Sequence, residues 1–449
     1  MYSFRAAARA SYIAGAAVLT LLLLVPQVRL YRDEQPRTDV IAQLHFLRSE
    51  LGSGLGSRMQ DMFPEGFFFS HALYGLAWTD IARGDATYRD EALREARWAL
   101  DRLESASGRE VFDADLRPAY GVFYTGWSSR LRGAVIELAG AGAPETARFI
   151  ADCEALAAAF RTGGPFLPAY PAQAWPVDSV VAVAALKLHD RLLGAHFEPV
   201  ITEWLISARA QLDPATGLLP HLAKPSTEGA RGSSQSLIQR FLPEIDPVWA
   251  EQQYSEFRRQ FVDTPLGLTG VREYPHGRDG AGDVDSGPLL LGVSASATVV
   301  ALGAARVHGD RSLADPLTGL GEGLGVPIRL GDSKRYAFGV LPIGDAFLAW
   351  SFAAPSATTG PSFPPVAPWW WRVPWHLLAL IILSVAWFPV FRALVRRVRP
   401  GQCPTRNHLP AGSGKSVTAS RLGPDRRAGA GRRRIRSAAA ARGSHGGRV

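Results

Sequence analysis

One pattern recurs along the middle of the chain and limits what it can fold into. Between Tyr31 and Pro355, a loop rich in Gly, Pro and aromatic residues leads into an apolar helical stretch, and a charged amphipathic stretch alternates with it. Successive loop-to-helix junctions are separated by roughly 50 to 60 residues, which is typical of arrays of helical hairpins. The six junctions fall near Ser70, Gly126, Asp178, Ser233, Ser286 and Gly344.

The alternation predicts how the helices are layered. Charged amphipathic helices begin near Tyr88, Pro144 and Pro247, whereas the helices between them are apolar all round, as expected when both faces are packed. The sequence therefore predicts an all-α protein in which residues 31–368 form an (α/α)6 toroid of six helical hairpins. An open solenoid or an irregular helical domain is the alternative. In a closed ring, the loops would gather on one face and line a pocket.

Two apolar segments flank this body. The first, residues 10–30, contains an uncharged run close to the roughly 20 residues that cross a hydrocarbon core. Arg5 and Arg9 precede the run, and Arg29 and Arg32 follow it. A cleaved signal peptide is the competing interpretation, but the run lacks a small-x-small cleavage pattern, so we expect an uncleaved transmembrane helix.

The second apolar segment, residues 369–391, has the flanks of a membrane span. Tryptophans are enriched at membrane interfaces. Five of the twelve tryptophans lie in or beside this segment: Trp369, Trp370, Trp371, Trp375 and Trp387. Four arginines follow, at Arg392, Arg396, Arg397 and Arg399. The positive-inside bias then predicts a two-pass protein of the cell membrane, with residues 1–9 and 392–449 in the cytoplasm and the body outside.

The charge of the chain is unevenly distributed. The net charge is +8, yet residues 401–449 contain eleven basic residues and one acid, so the body is slightly acidic. This distribution gives no reason to expect nucleic-acid binding. The composition of residues 392–449 predicts a disordered tail that contacts anionic lipid, although a shifted reading frame in an Arg- and Gly-rich coding region would produce the same composition. The cysteines, Cys153 and Cys403, would lie on opposite sides of the membrane.

Acidic and aromatic residues at the junctions are the candidates for chemistry. Two carboxylic acids, one neutral and one ionised, can act as general acid and base. The predicted catalytic residues are Asp178 and Asp285, with Asp283 or Glu273 as substitutes. The predicted substrate-binding residues are Trp175, Arg231, Tyr274, His276, Trp127 and His71.

Helix capping is the alternative role for several of these residues. Asp178, Ser233, Asp285 and Ser286 each stand close to an apolar run, where Asp and Ser are common N-caps. The chain contains no HExxH, CxxC or paired-His spacing, so the sequence predicts no metal and no cofactor. It also lacks the GxSxG elbow of serine hydrolases.

Three stretches resemble a known family. They are WPVDSVVAVAAL in the third unit, RGSSQSLIQRFLPEIDPVWAEQQYSEFRRQFV in the fourth, and GVREYPHGRDGAGDVDSGPLLLGVSASATVVALGAARVHGD in the fifth. These stretches resemble bacterial proteins with a linalool dehydratase/isomerase-like (α/α)6 domain, and the architecture is more distantly similar to six-hairpin glycosidases and epimerases. The resemblance implies a toroid and a lyase that uses cysteines with acid/base residues on a terpene alcohol. The body of this chain has one cysteine, Cys153, in an amphipathic helix.

The sequence leaves two classes of function open. The first is an extracytoplasmic hydrolase or lyase that acts on a glycan or another small hydroxylated compound through paired carboxylates. The second is a non-catalytic, membrane-tethered module that binds a lipid-linked or protein partner on the toroid face. A deep acidic pocket with at least one carboxyl group of raised pKa favours the enzyme, whereas a flat or filled central face favours the module.

Overall fold

The computed structural model describes residues 2–357 and 362–398. The chain is mostly helical, as predicted, and has little strand. The amphipathic stretches near Tyr88, Pro144 and Pro247 form α5, α8 and α12. In the described ranges the helices are α1 (Tyr2–Arg29), α2 (Arg37–Gly52), α3 (Leu55–Gln60), α4 (Gly66–Gly84), α5 (Arg89–Leu103), α6 (Ala106–Arg109), α7 (Gly121–Ala139), α8 (Thr146–Gly163), α9 (Pro176–Leu193), α10 (Glu198–Arg209), α11 (Gly232–Ile245), α12 (Pro247–Phe261), α13 (Ala295–Val307), α14 (Arg311–Leu324), α15 (Pro342–Ala353) and α16 (Val373–Val398).

Six apolar helices pack side by side in chain order. α4 contacts α7, α7 contacts α9, and the series continues through α11, α13 and α15, after which α15 contacts α4. The charged helices pack outside them: α5 on α4 and α7, α8 on α7 and α9, α12 on α11, and α14 on α13. α2 covers α15 and α4. We call the six apolar helices the inner helices.

Small residues let neighbouring inner helices approach closely. A Cβ atom at Gly126 of α7 would lie 3.2 Å from the Cα atom of Ala182 in α9. At Gly303 of α13 it would lie 3.2 Å from the Cα atom of Ser351 in α15. Larger side chains at these positions would push the helices apart, so the glycines set the spacing of the inner helices.

Short strands interrupt the loops before α13 and α15. One antiparallel sheet has the order β1 (Val262–Asp263), β2 (Gly270–Arg272), β4 (Val293–Ser294) and β3 (Leu289–Leu290). A hairpin of β5 (Ile328–Leu330) and β6 (Ser333–Arg335) precedes α15. The strands explain why the fifth inner helix begins at Ala295 rather than near Ser286, where the sequence pattern placed it.

Two helices, Ala7–Arg29 and Val373–Val395, are long and apolar enough to span a membrane. The second starts after Trp369–Trp371, and residues 392–398, predicted to belong to the tail, continue α16. The Tyr12 hydroxyl donates to the Ala386 carbonyl at 2.7 Å, and Trp387 Nε1 donates to Thr20 Oγ1 at 2.9 Å, so the two helices pack together. The rest of the predicted tail, with Cys403, lies outside the described residues.

Candidate functional site

Three carboxylic acids from distant parts of the chain lie at the amino ends of the inner helices or in the loops before them. Glu65 immediately precedes α4, Asp178 lies in the first turn of α9, and Asp285 lies in the loop before α13. The negative charges of Glu65 and Asp285 both raise the pKa of Asp178, and the charge of Glu65 also raises the pKa of Asp285. We call Glu65, Asp178 and Asp285 the carboxyl cluster.

The two aspartates of the cluster differ in their surroundings. Asp178 is 5% exposed, and its burial, reinforced by the charges of Glu65 and Asp285, raises its pKa well above its ordinary value. Asp285 keeps an exposed surface, but desolvation by the surrounding protein raises its pKa to about 6. Asp285 is therefore mostly ionised at neutral pH, whereas the environment of Asp178 favours the protonated form. This is the asymmetry that a general acid and a general base require.

Aromatic side chains form one wall of the cluster. The Tyr170 hydroxyl donates a hydrogen bond to Glu65 Oε1. The Tyr170 ring contacts Trp175 edge-on at a centroid distance of 5.9 Å, and it stacks on Phe112, also at 5.9 Å. Tyr170 and Trp175 are half-buried, so part of this wall faces solvent. The predicted binding residue Trp175 thus lies beside the predicted acid Asp178.

A buried aromatic cluster fills the space between the inner helices. Trp127 of α7 is fully buried, and its ring lies 5.3 Å from Phe69 of α4, 5.4 Å from Phe241 of α11 and 6.1 Å from Trp350 of α15. Among the described residues, the Trp127 indole N–H forms no hydrogen bond of regular geometry. Its interaction with Asp178 nevertheless favours the charged carboxylate, and so opposes the rise in the pKa of Asp178. Trp127 was predicted to bind substrate, but its ring packs in the centre of the inner helices.

The other predicted acids belong to an ion-pair network around Arg231. Arg231 Nε lies 2.7 Å from Glu273 Oε1, and Arg231 Nη2 lies 2.6 Å from Asp283 Oδ2. The backbone N–H and the hydroxyl of Ser233 donate to Glu273 at 3.1 and 2.8 Å. Glu273 is fully buried, so both carboxylates are committed to holding the loop before α13. We call Arg231, Glu273 and Asp283 the Arg231 network.

A buried histidine, His221, adjoins this network. Its Nδ1 atom lies 2.5 Å from the Ser234 hydroxyl, and Arg231 Nη1 lies 3.4 Å from its Nε2 atom. Burial, reinforced by the positive charge of Arg231, lowers the pKa of His221 to about 4. The imidazole is therefore neutral at physiological pH and serves the network as a hydrogen-bonding group.

The remaining predicted binding residues lie elsewhere. His71 is buried between Phe67 and Trp98, and burial lowers its pKa to about 4. His276 is exposed, with Nε2 3.2 Å from the carbonyl oxygen of Val262. In the described part of the chain, neither histidine hydrogen-bonds to the carboxyl cluster.

Tyr274 belongs to the surroundings of the Arg231 network. The Arg231 guanidinium lies 5.4 Å from the centre of the Tyr274 ring, and the Tyr274 hydroxyl donates to the Ala281 carbonyl at 2.9 Å. Tyr274 therefore supports the same loop as Glu273 and Asp283.

The capping alternative does not explain the two central aspartates. The residue before α9 is Trp175, and Asp178 caps no backbone N–H of that helix. Asp285 lies well before α13, whose cap is Ser294. The residue before α11 is Arg231, not Ser233, and Ser286 lies in the loop where Asp283 Oδ1 accepts its backbone N–H.

Sequence reasoning missed Glu65 and Tyr170. Both stand in the aromatic loops before an inner helix, in FPEGFFF and PAYPAQAWPVD. Their position relative to the junctions was the available signal, but neither follows the Asp-before-apolar-run pattern that drew attention to Asp178. Among the described residues, no group of three or more His, Cys, Asp or Glu side chains is arranged to hold a metal ion.

No protein-family model matches the sequence. No curated protein matches it either.

Proposed function

We propose that the body is an (α/α)6 toroid and that α1 and α16 anchor it in the cell membrane. The return contact of α15 with α4 and the outer position of the charged helices support a closed ring. The arginines beside both spans support cytoplasmic termini and an extracytoplasmic body, as in the sequence-based prediction. The resemblance to linalool dehydratase/isomerase-like domains supports this proposed fold.

Within this fold, we infer an enzyme that uses Asp178 as general acid and Asp285 as general base. The observation that carries the inference is the carboxyl cluster, in which burial and the charge of Glu65 raise the pKa of both Asp178 and Asp285 beside half-buried aromatic side chains. Perturbed carboxyl groups are concentrated at catalytic sites. Asp178 would give its proton to a leaving oxygen, while Asp285 would accept a proton from a water molecule or a substrate hydroxyl.

The surroundings suggest the class of substrate. Half-buried Tyr170 and Trp175 offer apolar ring surface beside hydrogen-bonding carboxyl groups. Sugars and other hydroxylated compounds combine C–H faces with hydroxyl groups, so they suit such a site. The Arg231 network holds the loop of Asp285, which makes Glu273 and Asp283 positioning residues in this proposal. A glycan or another hydroxylated compound of the cell envelope is therefore the proposed substrate.

The lyase chemistry suggested by the family resemblance would need a thiol at the site. Cys153 lies in the outer helix α8, is fully buried, and has its thiol pKa raised by burial and by the charge of Asp152. A thiolate nucleophile is disfavoured in these surroundings. We therefore assign the chemistry to the carboxyl cluster rather than to a cysteine.

The test is turnover by the full chain in lipid nanodiscs, screened against aryl and alkyl glycosides. Asp178→Asn and Asp285→Asn should each lower kcat by about 100-fold or more, the scale of general acid/base catalysis. Asp279→Asn is the matched control, since Asp279 lies in the same loop with an 87% exposed side chain. Wild-type turnover by either of the first two variants would contradict the assignment.

One observation favours the second candidate, a non-catalytic binding module. The aromatic cluster of Phe69, Trp127, Phe241 and Trp350 fills the centre of the inner helices, so the site is shallow. The test is glycan binding by the wild-type chain and by Asp178→Asn. Saturable binding that is equal in both, without turnover in either, would establish the binding module and rule out the proposed enzyme.

A further inference from the structure

α1 leaves the body at the end that carries the carboxyl cluster. Leu30 is fully buried against Gly319, and a Cβ atom at Gly323 would lie 3.2 Å from the Pro26 carbonyl oxygen. Arg29 Nη1 donates to the Pro327 carbonyl at 2.9 Å. Going from Leu30 back to Pro26 and Arg29, the contacted residues lie successively further along α14 and then in the loop before α15. Traced backward from Leu30, α1 therefore runs toward the amino ends of the inner helices, which we call the site face.

The segment leading to α16 reaches the same face. The Ala357 N–H donates to the Arg306 carbonyl at 3.0 Å, near the carboxyl end of the inner helix α13. Trp375 Nε1, at the start of α16, donates to the Gly267 carbonyl at 3.0 Å, in the loop before α13. Ala357 therefore lies near the carboxyl ends of the inner helices, whereas the start of α16 lies near their amino ends. Both apolar helices are docked at the site face.

The site face also exposes large apolar side chains. Val340 is 80% exposed, Leu266 71% and Val284 66%. At the opposite end such residues are scattered singly, as at Val248. We call the exposed side chains of the loops before α13 and α15 the apolar rim: Leu266, Val284, Leu290, Leu291, Phe338 and Val340.

We propose that the apolar rim lies in the surface of the membrane crossed by α1 and α16, so that the carboxyl cluster opens toward lipid and acts on an amphiphilic, lipid-linked substrate. Exposed apolar patches mark interaction surfaces, and this one lies at the face where two helices suited to hydrocarbon meet the body. Val284 immediately precedes Asp285 in the sequence, so the rim reaches the proposed general base.

The substrate class follows from this position and rests on the proposed function. A hydroxylated head group would reach Asp178 and Asp285, while an acyl or prenyl chain would stay in the bilayer. Interfacial apolar surfaces insert roughly 5–10 Å into the boundary between head groups and acyl chains. Insertion to that depth would let the head group enter the site without leaving the membrane.

The position of the rim can be measured without a substrate. Leu291→Cys and Val340→Cys are introduced one at a time into the full chain carrying Cys403→Ser, in which the remaining Cys153 is fully buried. Each new cysteine is labelled with nitrobenzoxadiazole in phosphatidylcholine–phosphatidylglycerol vesicles. Val248→Cys is the control at the opposite end. Doxyl-labelled lipid should quench the two rim labels several-fold more than the control label, and aqueous iodide should do the reverse. Equal quenching at both ends would overturn the proposal.

A second copy of the chain is the other occupant that could cover the rim. In that case the rim labels would be shielded from both doxyl lipid and iodide, and the shielding would disappear when the protein is diluted in lipid. This result would also overturn the proposal.

The substrate class needs a second measurement. Hexadecyl β-glucoside in vesicles is compared with soluble 4-nitrophenyl β-glucoside. Val340→Asp should lower kcat/KM several-fold for the vesicle-bound glucoside alone, whereas Asp285→Asn should lower it for both. An equal effect of Val340→Asp on both glucosides would overturn the substrate class. If neither is turned over, the acid/base function fails, and the quenching result still decides where the site face lies.

Discussion

Asp283 holds Asp285 in place through the backbone. Asp283 Oδ1 accepts the backbone N–H of Asp285 at 3.1 Å, while Oδ2 lies 2.6 Å from Arg231 Nη2. One carboxylate therefore ties the proposed general base to the Arg231 network. Its negative charge also raises the pKa of Asp285.

This arrangement predicts the effect of Asp283→Asn. The amide oxygen can still accept the Asp285 N–H, but the charge that disfavours ionisation of Asp285 is gone. The pKa of Asp285 should fall below about 6, so the acidic limb of the kcat/KM profile should move to lower pH. The measurement compares the pH–rate profile of Asp283→Asn with those of the wild-type chain and the control Asp279→Asn. An acidic limb that does not move would contradict the role of Asp285 as base.

Glu65→Gln should change the profile differently. The charge of Glu65 raises the pKa of both Asp178 and Asp285, and a glutamine oxygen can still accept the Tyr170 hydroxyl. Both limbs of the profile should therefore move to lower pH, whereas Asp283→Asn moves the acidic limb alone. Coincident profiles for Glu65→Gln and the wild-type chain would mean that Glu65 does not belong to the carboxyl cluster in solution.

Helix type and order could be predicted because the spacing of apolar and charged residues in the sequence follows which faces of a helix are buried. The charged stretches became outer helices such as α5 and α12, and the apolar stretches became inner helices such as α9. Asp178 could be predicted as a candidate because a carboxyl group at a loop-to-helix junction can serve acid/base chemistry as well as helix capping. Its catalytic role stays a prediction, while burial and the charges of Glu65 and Asp285 raise its pKa in the fold.

The partners of each acid could not be predicted, because they depend on contacts between distant segments. Glu273, Asp283 and Asp285 are similar acids within one loop. Only the fold pairs Glu273 with Arg231 and Ser233, and places Asp285 where burial and the charges of Asp283 and Glu65 raise its pKa. The strands before α13 were missed because segments of two or three residues are too short to show alternation.

Breaking the Arg231 network should destabilise the fold. Glu273 accepts hydrogen bonds from Arg231 Nε and from Ser233, and Arg231 is buried. Glu273→Ala leaves a buried guanidinium without this partner, so the free energy of unfolding should fall by about 3–5 kcal/mol. Denaturant unfolding in detergent, followed by tryptophan fluorescence, measures the change.

The control for this variant is an exposed ion pair. Glu50 lies 2.9 Å from Arg58 on the surface, and Glu50→Ala should change the free energy of unfolding by about 0–1 kcal/mol. Equal effects of Glu273→Ala and Glu50→Ala would show that the network contributes no more than a surface pair.

Asp345 should make stability depend on pH in a defined window. This carboxyl group in α15 is buried, and its Oδ1 atom accepts the Tyr336 N–H and the Gln43 amide, both at 3.0 Å. Burial raises its pKa from 3.8 to about 7, outweighing the hydrogen bonds that favour the charged form. The folded state therefore binds the proton more tightly than the unfolded state does. Stability from this group is complete below pH 3.8 and is lost as pH rises to about 7.

Asp345→Asn should remove this dependence while keeping an oxygen for both donors. The shift corresponds to about 4 kcal/mol. The variant and the wild-type chain should thus have the same free energy of unfolding near pH 4. At pH 8 the free energy of unfolding of the variant should be higher by about 4 kcal/mol. Thermal unfolding across this range, with the exposed hairpin variant Asp332→Asn as control, gives the comparison. A constant difference between Asp345→Asn and the wild-type chain at every pH would mean that the carboxyl group stays ionised, and that burial does not dominate its surroundings.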